Sequence, residues 1–144
     1  MNAPIQPAQI RLQSLQVSEC HFKATDTFNP STTTTENVLN LDHRTVLVNE
    51  NKKLFIVEFQ AHIFNGTNTF TLDVLFRALF ESSVEVDDQF LKSNFVTLNA
   101  PAIAFPFLRS FITTLTANAG FNPLILPAIN FARTMKTNMD KPKQ

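Results

Sequence analysis

With 144 residues and a mass of 16.2 kDa, the chain has the length of one domain. Its 12 basic and 12 acidic side chains cancel, so no overall field recruits nucleic acid or an anionic membrane. Two distant glycines, Gly66 and Gly120, cannot form a dinucleotide fingerprint or a P-loop, and a single cysteine, Cys20, excludes an internal disulfide and a multi-cysteine zinc site.

The start of the chain, Met1 to Arg11, contains Pro4 and Pro7 and lacks a basic segment leading into an apolar one, so it does not read as a signal peptide. Residues 1–8 and 138–144 are expected to be loose ends of a single domain over 1–144. Cys20, Phe22 and Ala24 alternate with Glu19, His21 and Lys23, the period of two expected of a half-buried strand. Ile10 and Leu12 share that parity, whereas Leu15 and Val17 do not, which implies a bulge or a two-sided strand. Residues 25–37, with Pro30 and the run Thr32 to Thr35, read as a polar loop around one apolar residue, Phe28.

A second strand follows from Val38 to Val48, then a turn at Asn49-Glu50-Asn51. Phe55, Val57, Phe59, Ala61 and Ile63 alternate cleanly up to Asn65-Gly66, a hairpin signal. Residues 67–81 satisfy both periods, as a strand through Phe70, Leu72, Val74, Phe76, Ala78 and Phe80 or as a helix through Leu72, Leu75, Phe76, Leu79 and Phe80. The strand is preferred, because the preceding strand ends in Asn-Gly and needs an antiparallel neighbour.

Asp87-Asp88 before Phe90 and Leu91 suits a short helix with acids in its first turn. Asn99-Ala100-Pro101 then reads as the N-cap and first turn of a long helix that runs to Asn118 or Ala119 and stops at Gly120. Pro106 lies inside it and should kink it, sending Phe105 and Phe107 into different environments. Phe121 to Pro127 reads as a loop, and Ala128 to Met139 as a last short helix. The fold class expected is α+β: a four-stranded antiparallel sheet with a long kinked helix and short helices packed on one face.

Catalytic constellations find little support. His21, His43 and His62 are spread over three strands without metal-ligand spacing, and Cys20 and His21, as strand neighbours, point to opposite faces. Cys20 reads as a half-buried structural residue. No metal, cofactor or enzymatic activity is expected. The distinctive block lies between Lys92 and Arg133, where Arg109 is the sole charge. Ser110 to Ala132 is wholly uncharged, but Gly120, Pro123, Pro127 and its asparagines argue against a membrane-spanning helix. So long an uncharged, Phe-rich block exceeds what a small monomer hides, and it points to a partner subunit or an apolar ligand.

The run NAPAIAFPFLRSFITTL, then Gly120-Phe121, Pro123, Leu126-Pro127 and Ile129-Asn130-Phe131, closely resembles the SecB protein-export chaperone family. The family's helix start is matched by Pro101, Ile103, Phe105, Pro106, Phe107 and Arg109, and the first and fourth strands are more weakly similar. The resemblance implies a cytoplasmic homotetramer, a dimer of dimers, that holds unfolded preproteins in apolar grooves without ATP, inserts into no membrane and passes its clients to SecA. It also implies roles for named residues. Phe28, Phe105, Phe107, Phe121, Leu124 and Leu126 would line the client groove. Ile103, Phe111, Ile112 and Leu115 would form the oligomer interface, and Glu19 and Asp73 would face SecA. Departures from the family pattern are the basic ending Lys141-Pro142-Lys143-Gln144 and Lys23 on the first strand, which favour client holding over SecA delivery. The alternative is a SecB-like module dedicated to one partner, such as an antitoxin.

Overall fold

The computed structural model describes residues 9–24, 37–65 and 70–132. Four strands, β1 (Ile10–Ala24), β2 (Asn37–Leu47), β3 (Leu54–Asn65) and β4 (Phe70–Ser82), form one antiparallel sheet in the order β1-β4-β3-β2. The doubly periodic segment is therefore strand β4. As an inner strand it buries Phe70, Leu72, Val74, Phe76, Ala78 and Phe80 on one face, beside Phe55, Val57, Phe59, Ala61 and Ile63 of β3. Each such Phe contributes roughly 1.5–3 kcal/mol through burial.

The parity change in β1 has a geometric cause. Its pairing with β4 shifts between Leu12 and Ser14 and again between Val17 and Glu19. Two extra residues, Gln13 and Ser18, thus return Leu12, Leu15, Val17, Cys20 and Phe22 to one face, opposite Phe80, Ala78, Phe76, Val74 and Leu72. β1 is an edge strand, and the burial expected for Cys20 does not occur. Its side chain is exposed, although what burial it has pushes the thiol up.

After the sheet comes α1 (Asp88–Leu91), capped by the Asp87 carboxylate accepting from the Phe90 N–H at 2.7 Å. A π-helical turn, Phe95–Asn99, then leads without a break into α2 (Ala100–Asn118). This corrects the expected N-cap. Asn99 already has helical angles (φ −71°, ψ −44°) and makes no side-chain capping bond, because the turn before it supplies the carbonyls that a helix start lacks. Pro106 sits within α2 without ending it. α2 closes at Gly120, whose φ of +92° is the left-handed conformation a side chain would disfavour.

α2 lies on the Phe-rich face of the sheet and buries Pro101, Ala104, Phe105, Leu108, Ile112 and Thr116, a stripe at helical spacing. By length and composition, Phe95–Asn118 (24 residues, mean hydropathy 1.4) could also cross a membrane, but here that stripe packs on the chain's own sheet. Residues 128–130, expected to be helical, are not; a helix begins only at Phe131. The Asn65-Gly66 turn beyond Asn65, Phe28 with its loop, the remainder of the last helix, the basic ending and both expected loose ends lie outside the described residues.

Candidate functional site: uncharged grooves beside the long helix

Helical spacing divides the side chains of α2 between two surroundings. Ile103 and Phe107 are exposed at 41% and 46%, on the side away from the sheet, while Phe111 and Leu115 are half-buried on its flank. Ala102, Pro106, Ser110 and Thr114 continue the exposed side, which carries no charge. Three of the four expected interface residues, Ile103, Phe111 and Leu115, thus remain wholly or partly open. Ile112 does not: it is fully buried against the sheet, one turn beyond Leu108.

The loop after α2 is held by a hydroxyl clip. Thr113 Oγ1 donates to the Leu124 carbonyl at 2.7 Å, and Thr116 Oγ1 accepts from the Leu124 N–H at 2.9 Å while donating back to the Ile112 carbonyl. These bonds satisfy the loop backbone and let Leu124 and Leu126 sink into the core, at 8% and 3% exposure. The expectation that this loop offers both leucines to a client is corrected. They are core residues, as is Phe105, which packs on Phe59 and Phe131. Phe121 keeps partial exposure, its ring against Phe22 and Phe70.

Two open grooves flank the start of α2. One, of about 450 Å³, runs between Leu98, Asn99 and Ala102 on the helical side and Ala128, Ile129, Asn130, Phe131 and Ala132 on the other. The second, of about 470 Å³, is lined by Gln9, Ile10, Phe95, Asn99, Ala102 and Ile103. They share Asn99 and Ala102, and among the described residues no ionisable side chain lines either. Such walls offer apolar contact and a few amide hydrogen bonds but no selection by charge. Sequence reasoning missed these lining residues. Their signal was the spacing of Phe95, Leu98, Asn99, Ala102 and Ile103, a helical face that begins before the expected cap.

The opposite face of the sheet differs. Glu58, 5% exposed, is held in one cross-strand row by Arg44 Nε at 2.7 Å and Arg77 Nε at 2.8 Å. Burial would raise its carboxyl, but the hydrogen bonds and charges of Arg77 and Arg44 outweigh that and hold it below the ordinary carboxylate value. On this face the structure also places Glu19 and Asp73, in neighbouring rows of the β1–β4 pair. Asp73 pairs with His62, Glu19 lies 3.9 Å from His21, and Lys23 shares the face opposite Thr71.

The family model for SecB, preprotein translocase subunit SecB, matches residues 5–141. The chain belongs to the SecB family. The protein-export protein SecB of Ehrlichia ruminantium (strain Gardel) is 34% identical over 112 residues, which cover 74% of this chain and 59% of that protein. The SecB of Anaplasma phagocytophilum (strain HZ) is 40% identical over 53 residues, 35% of this chain and 34% of that protein. These matches span less than two-thirds of the relatives' own length. The SecB fold is also found in a solved structure, the Mycobacterium tuberculosis SecB-like chaperone Rv1957 in complex with a ChAD peptide from the Rv1956 HigA1 antitoxin. It has a TM-score of 0.70 at 17% identity and covers 83% of this chain and 90% of that one, a likeness of fold.

Proposed function

We propose that this chain acts as one SecB-like domain and serves as an ATP-independent holdase, binding unfolded or non-native polypeptides for protein export. The observation that carries the reading is the pair of grooves meeting at Asn99 and Ala102, uncharged and open along their length. An unfolded chain offers apolar side chains and unpaired backbone, and a groove that lacks charge accepts many such segments at modest affinity each. Phe107 and Phe121 are the proposed client-facing rings at the surface, joined by Phe28, and Phe105, Leu124 and Leu126 support the walls from below. The chaperone works without catalysis or cofactor, as a soluble cytoplasmic protein that binds neither nucleic acid nor membrane.

The uncharged outer side of α2, with Ile103, Phe111 and Leu115 above the buried Ile112, joins two dimers into a homotetramer in this proposal. Glu19 and Asp73 supply the acids of a SecA-facing surface, with Lys23 weakening that contact.

A second reading is favoured by a specific observation: the solved structure sharing this fold holds a peptide from an antitoxin. On that reading the chain is a dedicated chaperone for one partner. Suppression of light scattering during aggregation of several unrelated unfolded proteins separates the two. A holdase protects most of them at near-stoichiometric amounts, whereas a dedicated chaperone protects none but its own partner.

A further inference from the structure

The wall formed by residues 128–132 reaches the core through the buried Phe131, with Ile129 packed beside it. Phe131, 4% exposed, sits among Phe105 (ring centroids 5.7 Å apart), Phe59 (6.1 Å) and His43 (5.2 Å). His43 is the odd member of this ring cluster. It lies on the edge strand β2, opposite Phe59 in register, half-buried on the core face, its ring nearly perpendicular to that of Phe131 at 87°. An apolar residue would fill the place equally well, yet here one side of the anchor can acquire a charge.

We propose that His43 is a proton-sensitive latch on the groove wall: the neutral imidazole seats Phe131, and the imidazolium releases residues 128–132 from the sheet. Among the described residues, no carboxylate on the core face is placed to receive an imidazolium. On β2, Asp42 and Arg44 belong to the opposite face, as do Glu58 and Gln60 on β3, and Glu58 is already occupied by two arginines. The single charged residue of α2 is the cation Arg109, and residues 121–132 carry no ionisable side chain. Burial accordingly pushes His43 below its ordinary value of 6.5, with only Asp42 pulling the other way. A group whose value is lowered by folding stabilises the closed form above that ordinary value, and the contribution is lost as the pH falls through the lowered one. Wall release and proton uptake are then one equilibrium, so whatever the groove holds against a seated wall competes with the proton.

The latch does not depend on what the groove holds, and its test needs no client. Amide hydrogen exchange of residues 128–132 is measured in the full chain at pH 5 and pH 8, corrected for intrinsic rates, with the His43 ring followed by NMR. The wild type should lose protection there severalfold at pH 5, while β3 and β4 stay protected. His43→Phe should keep that protection at both values. Should the Phe variant fail to fold, His43→Gln serves, with equal protection at both values. Equal protection of the wild type at both pH values overturns the proposal. So does tighter protection in acid, which would mean a ring face holding the imidazolium, and so does a His43 midpoint no lower than that of exposed His21.

Discussion

Phe105 and Phe107 stand two residues apart on α2, yet one is 3% exposed and the other 46%. The helical turn alone separates them, since Phe105 falls on the stripe with Pro101, Leu108 and Ile112 while Phe107 falls outside it. Their substitutions should therefore differ in kind. Phe105→Ala, which empties a core site beside Phe59 and Phe131, is expected to cost about 3–5 kcal/mol in denaturant unfolding. Phe107→Ser should keep the far-ultraviolet circular dichroism and the sedimenting particle while weakening the suppression of client aggregation severalfold. Unchanged holding by the variant would remove Phe107 from the client surface.

Thr116 spans the helix and the loop through one hydroxyl. Thr116→Val preserves shape but leaves the buried Leu124 N–H without an acceptor, at a cost of about 1–3 kcal/mol. Thr116→Ser retains the acceptor and should be milder. Unfolding curves for the pair separate the hydroxyl from packing: equal losses would mean that the hydrogen bond is unimportant.

Much of this architecture was legible in the sequence. The alternation through Phe55 to Ile63 set the central strand, and the parity change after Leu12 announced the bulges. What stayed hidden depended on distant partners. Burial of Leu124 and Leu126 follows from hydroxyls on Thr113 and Thr116, which no local pattern encodes. The π-helical turn before Ala100 defeated the cap reading, because Asn99 and Pro101 also suit a helix that has already begun. Ile112 was assignable from its spacing to Ala104, Phe105 and Leu108, but the wealth of apolar residues on α2 masked which stripe was inner.

Glu58 makes a pH-dependent contribution of definite sign. Its carboxyl is held below the ordinary value of 4.5, so its stabilisation is full above that value and is lost as the pH falls through the lowered one. Glu58→Gln should cost about 1–3 kcal/mol at neutral pH, moderated because the Arg44 and Arg77 side chains, 72% and 42% exposed, can hydrate. The variant should also show a weaker fall in stability in acid than the wild type. Parallel curves for the two proteins between pH 6 and pH 3 would contradict this account of the triad.

Non-native chains are proposed to lie in the uncharged grooves beside α2. Hydrogen exchange of the protein, alone and holding a permanently unfolded client, tests it most directly. New protection is expected in residues 95–103 and 128–132, with the Glu58 face of the sheet unchanged. Protection confined to that opposite face, or none anywhere, would contradict it.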